Sequence, residues 1–364
     1  MRIDLGIEFL IFFLNKNRFF YRIVFYKLQA LKTINGYMKI CFVMYPWDKI
    51  VPGKDTTIRL IKECIECGYE VSLVTKSGVT LQKGKVLGQC QKLIPQVVGE
   101  DCVAFYDQMQ FEYSTQELKT FDIIFMRADP PVDNMLLNIL ELIEDEVFFV
   151  NRISGLRKAN NKIYAAFFDD GTDEIVPQTL ITSEVPLIKK FIEENDFQKF
   201  IIKPLDGMGG KGVILLERSQ LNNVSAIADF YINAEGKKKP IIVQNYIEGA
   251  EKGDIRAIVV NGEPIGAIKR IPAEGDHRSN ISAGGDSVKH ELTETELKLC
   301  RKLGKQLVKD GLYICGIDII NNKMVELNVM SPGGVYPHNK ANNNTEIQKQ
   351  IIGMIVDKYE ELKR

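Results

Sequence analysis

The chain has 364 residues, 45% of them hydrophobic and 26% charged, which fits a globular protein long enough for two or three domains. A formal net charge of −1 removes the electrostatic case for a nucleic-acid or anionic-membrane partner. Seven cysteines include only one close pair, Cys64 and Cys67, with no second C-x-x-C to complete a zinc site; reduced thiols in a cytoplasmic protein are expected.

Residues 1–37 stand apart. The stretch FLIFFLNKNRFFYRIVFYKLQALK is aromatic and basic, and its apolar run is too short to span a bilayer. It lacks the small-residue cleavage site of a secretory signal. A basic amphipathic surface anchor is one reading. The reading adopted is an appended or mis-assigned start, because Met38 opens MKICFVMYP, a fitting first strand of an α/β domain.

From Met38 the chain alternates. KICFVMY is strand-like, DTTIRLIKECIECG is helix-like with Asp55 as N-cap and Gly68 as its stop, and YEVSLVT is a strand again. This βαβ unit predicts a parallel sheet flanked by helices. FDIIFMR at 121–127 and VFFVN at 147–151 add strands. Ligands of such sheets bind outside the carboxyl ends of the strands. Arg127, Asp129 and the Pro130-Pro131 pair fall at such an end, although Arg-x-Asp also suits a plain surface turn.

After about residue 151 strands pair in sequence: FIIKPL with GVILLE, RAIVVNG with EPIGAIKRI, ICGIDII with KMVELNV. Asn261-Gly262 and Asn321-Asn322 are hairpin turns. Helices are expected at about 184–195, 219–231 and 293–310, giving an antiparallel α+β region. Between the first two strands, Gly207, Gly209 and Gly212 match G-x-G-x-x-G, but VILLE follows, a strand where a dinucleotide fingerprint needs a helix. No Lys-Ser/Thr follows either, so it is not a P-loop. A glycine loop joining antiparallel strands can close its N–H groups over a polyphosphate, and an ordinary solvent hairpin would carry the same residues.

The last hairpin carries chemistry of its own. Glu326 and Asn328 are two apart on one strand and share a face, and Asp318 can sit opposite them. Three hard oxygen donors make a Mg²⁺ seat. Their neighbours Ile317, Ile319, Val325, Leu327 and Val329 are too apolar for an exposed sheet, and a buried polar face needs a partner.

Lys162 in NNKIYAAFF, Lys203 in IIKPLDGMGGKGV, VQNYIEG at 243–249 and the Asp318/Glu326/Asn328 hairpin follow the order of ATP-grasp ligases. MRADPPVD, KPLDGMGG, VQNYI, GDIRAIVVNGEPI, RIPAEGDHRSNISAGG and LYICGIDIINNKMVELNVMSP resemble the signatures of prokaryotic glutathione synthetase, from Met38 to the C-terminus. The resemblance implies a parallel-sheet, pre-ATP-grasp α/β domain at 38–151. An α+β ATP-grasp domain would follow at 152–364, with antiparallel sheets, a glycine-rich lid and a lid subdomain at about 178–250.

It also implies roles. Lys162, Lys203, Gly209 and Gly210 would hold ATP phosphates, and Gln244, Asn245, Tyr246 and Ile247 would flank adenine. Arg256 and Arg270 would be catalytic, facing the phosphates and the reacting carboxylate. Asp318, Glu326 and Asn328 would hold two Mg²⁺ ions, with Mn²⁺ as an alternative. Arg127, Asp129, Ser331, Gly333 and Gly334 would line the substrates, under a loop at 272–286 that carries Arg278 and Asn280. None of His277, His290 and His338 is expected to act as a base. The implied reaction joins γ-glutamylcysteine and glycine through an acyl phosphate, giving glutathione, ADP and phosphate, in a cytoplasmic homo-oligomer. The alternative is a related ligase with a different acid or amine.

One stretch departs from the family. After NVMSP, GGVYPHNKANNN replaces a threonine and an acid-containing helix start. Glycine costs about 1 kcal/mol relative to alanine inside a helix. Pro337 can serve as a first-turn residue, so a helix is expected to begin later, or past residues 342–344, leaving a wider amine side.

Overall fold

The computed structural model describes residues 37–95, 101–129, 133–172, 174–205, 212–233, 238–272 and 286–364. The expectation for the stretch ahead of Met38 lies outside these residues. Among them, no helix is long and apolar enough to cross a membrane.

The first sheet is built from β1 (Lys39–Met44), α1 (Thr56–Glu66), β2 (Glu70–Thr75), β3 (Val79–Gln82), β4 (Lys85–Pro95), α2 (Cys102–Asp107), β5 (Met109–Glu117), β6 (Ile123–Arg127), α3 (Asn134–Glu141) and β7 (Phe148–Val150). Its order is β3-β4-β2-β1-β6-β7, with β5 on β4. The expected βαβ unit is present: β1 pairs in parallel with β2 and β6, and β6 with β7. Asp55 caps α1 by accepting from Ile58 N at 3.0 Å, and Gly68 turns the chain at φ 80°. Phe42 and Phe125, opposite each other in the register, stack at 4.7 Å.

The sheet is not purely parallel, however. β4 runs antiparallel to β2, β3 and β5. Lys83 and Gly84, both at positive φ, make the tight turn between β3 and β4. Much of β5 is solvent-exposed, so it lacks the apolar alternation by which strands are read.

A second, four-stranded antiparallel sheet follows α4 (Ile153–Ala159) and α5 (Lys162–Ala166). It comprises β8 (Thr179–Thr182), α6 (Val185–Glu194), β9 (Lys199–Pro204), β10 (Ile214–Glu217), α7 (Leu221–Ile232) and β11 (Ile241–Asn245), in the order β10-β9-β11-β8. It has its own core, in which Ile188, Ile192, Phe200, Ile202, Val224 and Val243 meet.

The third sheet, β14-β13-β12-β15-β16, comprises β12 (Asp254–Val260), β13 (Glu263–Ile271), β14 (Asp286–Lys289), α8 (Glu294–Lys309), β15 (Ile314–Ile320) and β16 (Lys323–Asn328), and α9 (Val335–Ala341) and α10 (Ile347–Lys363) end the chain. Asn261-Gly262 and Asn321-Asn322 are left-handed at both positions, as two-residue hairpins require.

The first and third sheets share their cores. Cys41 and Val43 cluster with Ala257, Val259 and Ile317, while Ile40 and Phe42 cluster with Ile258, Ile351 and Ile355. α10 lies across α1. Tyr359 donates to the Asp122 carboxylate, which also accepts from Lys39 N at 2.9 Å.

The late helix start is overturned. α9 begins at Val335, directly after Gly334. Gly334 is the N-cap at φ 122°, outside the helical interior, so the helix-propensity cost does not apply to it. Pro337 falls in the first turn, where its missing N–H costs nothing.

Candidate active site

β12, β13, β15 and β16 present one polar face. The register sets Asp254 opposite Arg270, Arg256 opposite Asp318, Asp318 opposite Glu326, and Gly316 opposite Asn328. Side chains of alternate residues share a face, so the sheet brings both arginines and all three expected metal donors together. Arg256 grips Asp318 with two donors, Nε to Oδ1 and a terminal nitrogen to Oδ2, the latter at 2.9 Å. Arg270 donates Nε to Asp254 Oδ1 at 2.6 Å and reaches Asp318 Oδ2 at 2.8 Å. Asn328 Nδ2 lies 3.4 Å from the same oxygen.

Asp254 was not foreseen from the sequence. It lies two residues before Arg256, so strand parity alone would have placed it on this face.

Across a cleft stand two lysines. Lys162 opens α5, whose N-cap Asn161 accepts from Ile163 N at 2.9 Å, and its ammonium reaches Pro204 O at 3.2 Å. Lys203 on β9 donates to Gln244 Oε1 at 3.0 Å, and Gln244 donates to Thr179 Oγ1 at 2.8 Å. Lys162, Lys203, Thr179, Gln244 and Glu326 line the same cleft.

The electrostatics follow from this crowding. Burial pushes Lys203 down to about 8; Lys162 adds to the shift and Glu326 opposes it. Burial, helped by Asp318, raises Glu326 against the pull of Lys162, Lys203 and Arg256. Burial alone would raise Asp318, but the two guanidiniums outweigh it and hold the carboxyl below its usual range.

Asp318, Glu326 and Asn328 fit a hard cation. They offer two carboxylates and an amide oxygen, fewer than the six oxygens Mg²⁺ takes, so phosphate oxygens and water would complete the shell.

The segment expected to flank adenine continues from β11. Asn245 N donates to Gln178 O at 3.0 Å and Tyr246 N to Lys199 O at 3.2 Å, so a base here would be read by other groups of the segment. Tyr246 donates its hydroxyl to Glu251 at 2.9 Å, and Ile247 is buried.

At the carboxyl end of β6, Arg127 is buried, donating Nε to Thr57 Oγ1 at 3.1 Å and a terminal nitrogen to Pro332 O at 3.0 Å. It therefore ties the first sheet to the segment of Ser331, Gly333 and Gly334 after the β15–β16 hairpin. Asp129 is exposed two residues on. Gly209, Gly210, Arg278, Asn280, His277 and the Pro130-Pro131 pair lie outside the described residues, as does most of the 272–286 loop. His290 bonds Glu296 at 2.9 Å, and His338 is buried against Gly266.

Comparison with known proteins shows the family. The model of the prokaryotic glutathione synthetase N-terminal domain matches residues 38–157, and that of the prokaryotic glutathione synthetase ATP-grasp domain matches residues 161–343. Glutathione synthetase of Thermosynechococcus vestitus is 32% identical over 326 residues, covering 87% of this chain and 99% of the relative. That of Gloeobacter violaceus is 35% identical over 307 residues, covering 82% and 90%. Among solved structures, D-cycloserine synthetase DcsG aligns with a TM-score of 0.61 at 14% identity, covering 88% of this chain and 99% of its own. The macrocyclase MdnC, bound with precursor peptide MdnA, aligns at 0.56 and 15%, covering 88% and 100%. At such identities the likeness shows the ATP-grasp fold alone.

Proposed function

The chain belongs to the prokaryotic glutathione synthetase family of ATP-grasp ligases, and on that premise we propose that it joins the cysteinyl carboxylate of γ-glutamylcysteine to the amine of glycine. Membership makes it an ATP-dependent, ADP-forming ligase of C–N bonds that works with a divalent metal. The observation that carries the residue assignment is the meeting of Arg256, Arg270, Asp318 and Glu326 on one sheet face, with Lys162 and Lys203 across the cleft.

In this reading Lys162 and Lys203 hold the nucleotide phosphates, and the Gln244–Ile247 segment seats adenine. Asp318, Glu326 and Asn328 would hold two Mg²⁺ ions, with Mn²⁺ as an alternative, and the metal would there neutralise phosphate charge. Arg256 and Arg270 orient the reacting carboxylate against the γ-phosphate and stabilise the charge that develops between them. Arg127, at the seam of the two sheets, seats the dipeptide together with Asp129 and the segment of Ser331, Gly333 and Gly334. The carboxylate becomes an acyl phosphate, ADP is formed, and the glycine amine displaces phosphate. An acyl phosphate hydrolyses readily, so the site must exclude water; Arg278 and Asn280 belong to the loop assigned that task.

The test is ADP release with ATP, Mg²⁺ and a panel of acids and amines, with product masses read. Glutathione is the expected product of γ-glutamylcysteine and glycine. Turnover only with another acid or amine would replace this substrate pair by that of a related ligase.

A further inference from the structure

The two arginines of the site look interchangeable in sequence, but the structure holds them differently. Arg270 spans two carboxylates. Both of its donors reach Asp254, and one also reaches Asp318. Arg256 has its two described side-chain bonds on Asp318 alone, one to each oxygen. A cation that binds an Asp318 oxygen must share it with a guanidinium donor or displace that donor, and in either case sits beside that positive charge. Arg270 still holds Asp254 when this happens, whereas the two described bonds of Arg256 both depend on Asp318.

The backbone shows how Arg256 is laid onto Asp318. Gly316 lies two residues before Asp318 on β15, on the same face. A methyl group placed on Gly316 would meet Arg256 Cδ at 3.0 Å and its Nε and a terminal nitrogen at 3.3 Å. The arginine stem thus crosses bare backbone, and a methyl group placed on Gly334 would lie 3.6 Å from its Cγ.

We infer that Arg256 is a resident counter-cation of the metal seat, docked on Asp318 by the missing side chain of Gly316, and that metal binding and the freeing of Arg256 are one competition. The inference rests on the assignment of Asp318 as a metal ligand and deepens it. It divides the labour of the arginines: Arg270 is fixed by Asp254, while Arg256 becomes available to the reacting carboxylate when a divalent cation takes Asp318. Gly316 is then a positioning residue, acting through Arg256.

The test is a titration of the full chain with Mn²⁺ alone, with free Mn²⁺ read by electron paramagnetic resonance. Asp318→Asn identifies the site by abolishing uptake. Arg256→Met should bind Mn²⁺ on the order of tenfold more tightly than the parent, because the competitor is gone. Gly316→Ala keeps the charge but shifts its seat, and should also tighten Mn²⁺, by a smaller factor. In both, kcat should fall. A merely structural role would weaken metal binding and activity together. Unchanged or weaker Mn²⁺ binding in Arg256→Met, with Asp318→Asn still abolishing it, overturns the competition and leaves the ligase reading standing. Tightening in Arg256→Met but not in a folded Gly316→Ala overturns the docking role of Gly316. Uptake that Asp318→Asn does not alter, or none in any variant, removes the metal assignment beneath it as well.

Discussion

Lys203 makes nucleotide affinity sensitive to pH above neutrality. Its ammonium stands at about 8, lowered by burial first and by Lys162 second. A phosphate docking there needs the charged form. With that value roughly nine in ten Lys203 side chains are charged at pH 7 and roughly one in ten at pH 9. A bound polyanion favours the charged form and raises the value again, so binding above pH 8 must take up a proton. Affinity for ADP should therefore fall about tenfold between pH 7 and 9, equivalent to about 1.4 kcal/mol. Calorimetry of ADP binding, in buffers of different ionisation heat and without divalent cation, reads both the affinity and the proton. Lys203→Met should bind weakly at pH 7 and show no such slope. A flat affinity with no proton uptake, or an equal slope in Lys203→Met, would refute the reasoning. The sign for stability is opposite. The folded value lies below the ordinary 10.5, so the unfolded chain binds more protons between the two, and stability should rise as pH climbs from about 8 towards 10.5.

Glu326→Gln should keep the melting curve but lower kcat on the order of 10³-fold, because it removes a charge from the metal seat; near-normal turnover at saturating Mg²⁺ and ATP would argue against that seat. A chain that starts at Met38 should fold and turn over like the full one, since the first described strand begins at Lys39; loss of activity or solubility would show that the earlier residues support the body. A methyl group placed on Gly333 meets nothing within 4 Å, so alanine, serine or β-alanine should compete measurably with glycine at fixed dipeptide, read by product mass. Strict glycine selectivity would mean that the open space at Gly333 does not reach the amine.

What could be read from the sequence was local. Asp55 and Gly68 marked α1 because a cap and a left-handed stop are one-residue signals. Asn261-Gly262 and Asn321-Asn322 marked their hairpins for the same reason. The β4–β5 arm was missed because its exposed faces carry no periodic apolar signal. The early start of α9 is hidden from helix propensity because Gly334 is a turn residue at the cap, outside the helical interior. Glu326 and Asn328 share a face by parity, whereas the Arg256–Asp318 and Asp254–Arg270 pairs depend on how three strands align. The bond from Arg127 to Pro332 joins residues 205 apart, and no window along the chain contains it.

The crossing of α10 over α1 bears on the order in which the protein can mature on the ribosome. Ile58, Ile61 and Cys64 of α1 share a cluster with Ile351, Ile352 and Ile355 of α10, and Asp122 waits for a phenol synthesised 237 residues later. The first sheet therefore emerges with an apolar flank that its own residues do not cover. Long-range closure of this kind slows folding and leaves a sticky intermediate during synthesis. Trimming or fusing the last helix should thus destabilise the first sheet, at the far end of the sequence, before it disturbs the polar face of β12, β15 and β16.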